Sequence, residues 1–178
     1  MLPIRPATVA DAAVLTELRR VMHDTINGPH PTDWMKACEE HTAERLAHDP
    51  GFHAYVALDG DTVVGAATGE VRPRFPSPES PATVAGYVIA VSTLPEYRRR
   101  GIGGGLTHHM TERFLALGCD RVSLFASRQG APLYRELGYE DLSESIVAMN
   151  RYAGHPLPGN RYTARPTPAD HSEVRIPS

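Results

Sequence analysis

Residues 97–106 read YRRRGIGGGL, so three arginines run into a Gly-x-Gly-Gly-Gly cluster. A run rich in β-branched residues, 83–93, precedes this stretch. An apolar stripe of helical spacing follows it: Leu106, Met110, Phe114 and Leu117. The order strand, glycine-rich corner, helix places unpaired N–H groups and positive partial charge at the helix start. Glycines let an anion approach the backbone, and arginines add donors for phosphate oxygens. The stretch therefore predicts a phosphate or pyrophosphate cradle.

Two common phosphate motifs do not fit this corner. The dinucleotide fingerprint needs glycine at its sixth place, which is Leu106 here, and the Gly-Lys-Ser/Thr ending of the P-loop is absent. The pattern that matches is Arg/Gln-x-x-Gly-x-Gly/Ala, from Arg98 to Gly103. A capped helix after a basic turn, without a ligand, is the alternative.

Composition narrows the class of protein. The 178 residues, 41% of them hydrophobic, suit one globular domain. A net charge of −3 argues against a general nucleic-acid binder. Cys38 and Cys119 have neither disulfide-framework nor metal-ligand spacing. Neither a signal peptide nor an apolar run of spanning length is evident. We therefore expect a cytoplasmic protein that binds neither nucleic acid nor membrane.

Apolar periodicity and turn residues predict the elements. The expected strands are 2–6, 53–58, 62–71, 83–93, 121–126 and 145–150. The expected helices run from the Thr8 cap to Asn27, from Thr32 to His48, over 104–117 and over 129–137. The strand at 83–93 is expected to be buried on both faces. Residues 72–82, with four prolines, are expected to form a loop, and those after Gly154 a tail.

Two motifs resemble one family. VSTLPEYRRRGIGGGL (91–106) resembles the acyl-CoA signature of the GNAT superfamily of N-acyltransferases, and ASRQGAPLYRELGYE (126–140) resembles its later motif. The resemblance implies an α/β fold of the α+β type, with a mixed, mostly antiparallel sheet that splays at the acyl-CoA site between flanking helices. It implies a GNAT domain over 1–153 with a proline-rich extension over 154–178, and acetyl-CoA as co-substrate.

The resemblance also implies which residues bind the cofactor. Val91, Ser92 and Thr93 match the backbone that pairs with the pantetheine arm. The matching pyrophosphate turn comprises Arg98, Arg99, Arg100, Gly101, Ile102, Gly103 and Gly104. At Ile102 the amide is expected to act, since the side chain points to the core. Ser127 stands where many members carry an asparagine that bonds the pantetheine.

Tyr134 matches the general acid of the family, and an aromatic that merely packs between helix and sheet is its alternative. The backbone N–H near Val91 resembles the family's oxyanion donor. The central strand has no carboxylate, so Glu70 is the nearest candidate base. A solvated strand end is the competing interpretation of Glu70, and a water relay or an amine that arrives neutral needs no dedicated base.

The resemblance implies an N-acetyltransferase that acts on a primary amine by direct attack. A small molecule is the preferred acceptor, because the first two helices and the 72–82 loop could enclose a pocket. The acceptor region contains His23, His30, Trp34 and Phe52. Nearby Asp24, Asp33, Glu39 and Glu40 would suit a cationic acceptor, although a solvated helix explains them better.

The sequence also permits three other functions. A protein or peptide N-acetyltransferase would share the fold. An acyl-CoA sensor or interaction module without turnover fits the missing carboxylate, and a nucleotide-binding module would use the same cradle. The adjacent His108 and His109 cannot chelate from one helix face, and no metal site is expected. The oligomeric state stays open, although homodimers are common in the family.

Overall fold

The computed structural model describes residues 2–78 and 80–141. The strands are β1 (Ile4–Pro6), β2 (Phe52–Asp59), β3 (Thr62–Pro73), β4 (Val84–Thr93) and β5 (Val122–Leu124). The helices are α1 (Ala12–Asn27), α2 (Met35–His48), α3 (Ile102–Ala116) and α4 (Ala131–Glu136). The predicted strand at 145–150 and the extension at 154–178 lie outside the described residues, so both stay predictions.

The five strands form one sheet in the order β1-β2-β3-β4-β5. Strands β1 to β4 pair antiparallel, and a tight turn at Gly60 joins β2 to β3. Strand β5 follows α3 and pairs parallel with β4. The predicted mixed, mostly antiparallel sheet with flanking helices is therefore confirmed.

The turn of residues 9–11 just before α1 has a capping box formed by Thr8 and Asp11, in agreement with the predicted cap at Thr8. Asp11 accepts hydrogen bonds from the Thr8 N–H at 2.7 Å and the Thr8 hydroxyl at 3.0 Å. The guanidinium of Arg5 donates to both oxygens of Asp11, at 2.8 and 2.9 Å. These bonds, together with the charge of Arg5, hold the pKa of Asp11 well below its usual range. The carboxylate thus joins β1 to α1.

Successive residues of the middle strands enter two separate cores, because side chains alternate across a sheet. Ala57 and Ala67 lie in a core with Phe114 of α3. Val56 and Ala66 lie in a second core with Leu18 of α1. The sheet is therefore packed between α3 on one face and α1 on the other.

Phe114 requires glycines in the strands beneath it. Its side chain is fully buried. A Cβ atom at Gly86 would lie 2.5 Å from Cδ2 of Phe114, and one at Gly69 would lie 2.8 Å from Cζ. The missing side chains let α3 lie close to β3 and β4.

The expectation that 83–93 is buried on both faces is wrong for most of the strand. Only Gly86 and Val88 of β4 are buried, and Ile89 to Thr93 are half-buried. The physical reason is that this half of β4 borders two cavities described below. Other differences are small: α2 begins at Met35 instead of Thr32, and β3 extends to Pro73.

Candidate active site

Strand β4 loses its β5 neighbour halfway along. β5 pairs only with Gly86 to Val88, while β4 continues to Thr93. On the β3 side the register moves from Thr68 opposite Ala90 to Gly69 opposite Val88. Ile89 is therefore the extra residue of a β-bulge. The segment after the bulge has an edge that β5 does not cover.

A cavity of about 240 Å³, called here the β4–α4 cavity, lies beside this open edge. Its walls come from the end of α1, β4, the end of β5, the start of α3, and α4 with the loop before it. It brings together seven of the predicted site residues: Val91, Ser92, Thr93, Arg98, Gly103, Ser127 and Tyr134. Six other predicted site residues are outside the described lining of this cavity: Arg99, Arg100, Gly101, Ile102, Gly104 and Glu70.

The first helical hydrogen bond of α3 runs from the Gly105 N–H to the Gly101 carbonyl, at 3.0 Å. The N–H groups of residues 102–104 precede it and so have no acceptor within the helix. In the described chain no side chain caps this end. Gly101 is left-handed, with φ 77°, which a residue with a side chain adopts less readily. The corner thus presents free donors and the positive end of the helix dipole.

The three arginines before this corner differ in their contacts. Arg98 donates to the Thr93 carbonyl at 3.2 Å and to the Thr25 hydroxyl of α1 at 2.9 Å. Arg100 donates to the Glu96 carbonyl at 2.8 Å, and its guanidinium lies over the ring of Tyr97. All three side chains are exposed. Arg99 has φ 62°, which is uncommon for a non-glycine residue.

The glycines after Gly101 have a packing role that the sequence did not indicate. A Cβ atom at Gly104 would lie 3.3 Å from Leu133 of α4, and one at Gly103 would lie 3.5 Å from it. The side chain of Ile102 is buried in the α3 core, as expected. Part of the glycine cluster therefore serves the close approach of α4 to α3.

Ser127 in the loop before α4 and Tyr134 of α4 both line the β4–α4 cavity and both lie beside Gly130. The Ser127 hydroxyl accepts a hydrogen bond from the Gly130 N–H at 3.1 Å. A Cβ atom at Gly130 would contact both the Ser127 Oγ and the Tyr134 ring, at 3.2 and 3.4 Å. Burial, and to a smaller extent Tyr139, raises the pKa of Tyr134. Tyr134 therefore keeps its proton at neutral pH and faces the β4–α4 cavity.

Glu70 is bound by two guanidinium groups. Arg45 of α2 approaches its carboxylate at 2.6 Å, and Arg72 forms a second ion pair. Burial alone would raise the pKa of Glu70, but the hydrogen bonds from both arginines outweigh it, and the pKa lies below its ordinary value. A carboxylate held in this way is a weak proton acceptor. Its assignment as the base stays a prediction.

A second cavity of about 260 Å³, the α1–α2 cavity, lies between these helices and the sheet. Three residues of β4, Ile89, Ala90 and Ser92, line both cavities. The cavities therefore meet at the bulge.

The sequence did not predict the helix residues that line the α1–α2 cavity. Helix α2 contributes Cys38, His41, Thr42 and Arg45. Their spacing of i, i+3, i+4 and i+7 is that of one helix face and is the signal that could have found them. Helix α1 contributes Leu15, Leu18 and Arg19 with the same periodicity.

The structure places one of the predicted acceptor-region residues in the lining of the α1–α2 cavity. Phe52 lines the α1–α2 cavity, whereas His23, His30 and Trp34 are outside its described lining. His23 instead packs edge-on against Trp34, with ring centres 5.8 Å apart.

The four acidic residues named above do not line this cavity among the described residues. Asp24 is ion-paired with Arg20. Asp33, Glu39 and Glu40 are exposed. The solvated-helix interpretation fits these positions.

Residues 2–78 and 80–141 hold no group of three or more His, Cys, Asp or Glu side chains placed to bind a metal ion. Within the same residues no helix is both long enough and apolar enough to cross a membrane.

The sequence model of the Acetyltransferase (GNAT) family matches residues 17–139, which include the bulge, the glycine-rich corner and Tyr134. The chain belongs to the GNAT acetyltransferase family. Acetyl-CoA is the co-substrate of GNAT acetyltransferases, so the predicted family and co-substrate are both confirmed. No curated protein matches the chain.

Solved structures show the same GNAT fold. A predicted acetyltransferase from Clostridium acetobutylicum, solved with acetyl-CoA, has a TM-score of 0.74 at 21% identity, with 84% of this chain and 96% of that one covered. A GCN5-related N-acetyltransferase from Ralstonia eutropha has a TM-score of 0.70 at 23% identity, covering 84% and 99%. An aminoglycoside acetyltransferase from an uncultured soil sample, in complex with sisomicin, has a TM-score of 0.62 at 20% identity, covering 85% and 95%.

Proposed function

We propose that this protein transfers the acetyl group of acetyl-CoA to a primary amine of a small molecule by direct attack. The observation that carries the proposal is the meeting of two cavities at the bulge of β4. One cavity borders the open strand edge and Gly103, whose N–H is one of the free donors of α3, and the other is enclosed by α1, α2 and the sheet. A thioester in the first cavity and an amine in the second would meet beside Ile89, Ala90 and Ser92.

The cofactor is expected to follow the open edge of β4. Val91 to Thr93 have backbone groups on the side that β5 leaves uncovered, and an extended pantetheine arm can pair with such an edge as an added strand does. The diphosphate would then reach the N–H groups of residues 102–104, whose free donors and helix dipole favour an anion. Arg99 and Arg100 are placed beside this corner to add charge.

The reaction needs a nucleophile, a place for negative charge and a proton for the leaving group. The neutral amine nitrogen forms a bond to the thioester carbon, and the carbonyl oxygen takes up the electron pair, stabilised by a backbone N–H near Val91. The C–S bond then breaks, and the thiolate leaves with a proton or a hydrogen bond from Tyr134. The proton that the amine loses passes to a base or to water.

Tyr134 suits the donor role for two reasons. It lines the β4–α4 cavity, and its raised pKa keeps the hydroxyl protonated at neutral pH. A thiol of ordinary pKa, about 8.5, yields a thiolate that gains from a hydrogen-bond donor as charge develops on sulfur.

The proposed reaction also needs an acceptor for the amine proton. Alkylammonium groups have pKa values of about 10, so the amine must lose a proton before or during attack. Glu70 remains the proposed base from sequence, but two arginines bind its carboxylate. A water relay through the α1–α2 cavity fulfils the same need.

The test of the proposed function is thiol release from acetyl-CoA over a panel of primary amines. Wild type is expected to turn over at least one small amine, and Tyr134→Phe is expected to lower kcat by about 10²-fold or more with little change in cofactor affinity. Tight acetyl-CoA binding without turnover of any amine would favour the sensor. Turnover only of peptide amines would favour a protein N-acetyltransferase, and competition by ATP instead of CoA would favour a nucleotide-binding module.

We also propose an assembly state and a cellular location. We expect a homodimer, which sedimentation equilibrium tests directly. We also expect a cytoplasmic location, which fractionation of the source cells tests.

A further inference from the structure

We propose that the acceptor in the α1–α2 cavity carries a carboxylate beside its amine, on a small apolar body. This inference rests on the proposed function, because it assigns that cavity to the amine. The substrate class it names is amino-acid-like.

The charge of the cavity lining is the first step. Arg19 and Arg45 supply two permanent positive charges. The imidazole of His41 also lines the cavity. Among the described residues, no aspartate or glutamate lines the cavity. An acceptor with several ammonium groups would find no carboxylate to bind there.

The two arginines are not equivalent. The Arg45 guanidinium lies 2.7 Å from the Asp49 carboxylate and 2.6 Å from that of Glu70, so its charge is already balanced. Arg19 forms no ion pair with any residue in 2–78 or 80–141. Arg19 is therefore the cation left to bind an anionic ligand.

Arg20, the next residue of α1, is ion-paired, in contrast to Arg19. Arg20 donates to Glu17 at 3.0 Å and also pairs with Asp24, so both carboxylates of this helix segment are taken by Arg20. Arg19, one position earlier, turns to the cavity and is half-buried. A guanidinium held partly away from water binds a carboxylate through two parallel hydrogen bonds, which is the geometry it favours.

The rest of the lining sets the body of the ligand. Leu15, Leu18, Phe52 and Ile89 supply an apolar wall. The volume of about 260 Å³ falls just below the range of roughly 300–1,000 Å³ that drug-sized ligands occupy. One amino acid with an apolar side chain suits this space.

The expected acceptor of this protein differs from the ligand of one structural neighbour. That neighbour is an aminoglycoside acetyltransferase solved with sisomicin. An aminoglycoside carries several amino groups, and each cation placed beside Arg19 would meet like-charge repulsion. The shared fold therefore does not carry over the acceptor class.

The kinetic test compares acceptors that differ only at the carboxylate. L-Valine, L-leucine, L-methionine and L-phenylalanine are assayed beside their primary amides, and the ratio of kcat/KM for acid over amide is measured. Wild type is expected to favour the acids, and Arg19→Gln is expected to lower the ratio by about 10- to 100-fold, the value of one charged hydrogen-bonded pair. Using each enzyme's own ratio cancels the different amine pKa values of acid and amide.

Two variants control for charge and for folding. Arg20→Gln removes the adjacent cation outside the cavity lining and is expected to change the ratio less than about 3-fold. Arg19→Lys keeps the charge without the forked donor and is expected to recover part of the ratio. An acid-over-amide ratio that Arg19→Gln leaves unchanged would overturn the inference.

A binding measurement keeps this result separate from catalysis. 3-Phenylpropionate has the carboxylate but no amine, and calorimetry with the CoA-bound protein should show binding that Arg19→Gln removes and that 3-phenylpropionamide lacks. Equal binding of the two compounds would overturn the inference. If no amine is acetylated while 3-phenylpropionate still binds through Arg19, the proposed function fails and the anion site stands. If amines are acetylated without dependence on Arg19, the proposed function stands and the inference fails.

Discussion

The carboxylate of Glu70 on β3 lies 2.6 Å from the guanidinium of Arg45 on α2. Arg45 also stacks on the ring of Phe52, 4.4 Å from its centre, and Arg72 binds Glu70 from the other side. One side chain of the sheet thus positions the cationic wall of the α1–α2 cavity. The same contact that orders this wall lowers the pKa of the carboxylate that sequence named as the base.

Glu70→Gln separates the two roles of this carboxylate. The ion pairs lead us to expect a loss of about 1–3 kcal/mol in the free energy of unfolding, because two guanidinium groups lose a charged acceptor. The change in kcat of the folded variant should stay below about 3-fold if water takes the proton. Urea unfolding and steady-state kinetics measure the two effects, with exposed Glu39→Gln as control. A fall in kcat of about 10²-fold at unchanged stability would instead support Glu70 as the base.

The Arg99→Ala, Arg100→Ala double variant tests the diphosphate corner. We expect the Kd of acetyl-CoA to rise by about 5- to 50-fold, since charged hydrogen bonds to phosphate are lost. The affinity for S-acetylpantetheine, which has no diphosphate, should not change. The dependence of binding on salt should also weaken. Arg121→Ala removes an exposed cation outside the described lining of both cavities and serves as control. Equal losses for the two ligands would contradict the phosphate assignment.

Gly86→Ala tests the close packing of α3 on the sheet. The new Cβ atom would lie 2.5 Å from Cδ2 and 2.9 Å from Cβ of Phe114, so the helix or the strand must move. We expect destabilisation of about 1–3 kcal/mol, the usual effect of overpacking. Combining Gly86→Ala with Phe114→Leu should recover part of this loss, because the two changes share one contact. Strictly additive losses in a thermal-unfolding cycle would show that the two residues do not conflict.

Asp11→Asn tests the joint between β1 and α1 through its pH dependence. The pKa of Asp11 is lowered mainly by hydrogen bonds from Arg5, so the ionised carboxylate stabilises the fold. This contribution is complete above the unfolded pKa of about 3.9 and is lost as pH falls below it.

The expected loss for Asp11→Asn is about 1–2 kcal/mol at pH 7, as for a lost helix cap. The difference from wild type should shrink between about pH 4 and pH 2, where wild type itself loses the interaction. Urea unfolding at several pH values measures it. A difference that stays constant down to pH 2 would mean that the carboxylate charge is not involved.

Local patterns were enough to predict the glycine-rich corner of the proposed cofactor site. The run from Val91 to Gly104 places a strand, a turn and a helix start in chain order, so neighbouring residues determine where the free N–H groups lie. Tyr134 follows from the resemblance of residues 126–140 to the later GNAT motif. The structure brings Tyr134, Ser127 and Gly103 to one cavity.

The packing role of the glycines in this corner could not be predicted from the sequence. Gly103 and Gly104 belong to the predicted phosphate motif, and they also leave room for the side chain of Leu133 of α4. Nothing in the local sequence states which side chain will approach a glycine from another element. The incomplete burial of β4 has the same origin, since it depends on where β5 stops pairing.

By itself, the sequence determined the family, the order of elements and the glycine-rich corner, because each depends on residues close together in the chain. Only the tertiary structure decided the charge of the α1–α2 cavity. Arg45 reaches a carboxylate 25 positions away in sequence, at Glu70, whereas Arg19 reaches none in the described chain. The partner of Arg45 at Asp49 lies one helical turn away, but the partner at Glu70 comes from a distant strand, which no periodicity along one helix records.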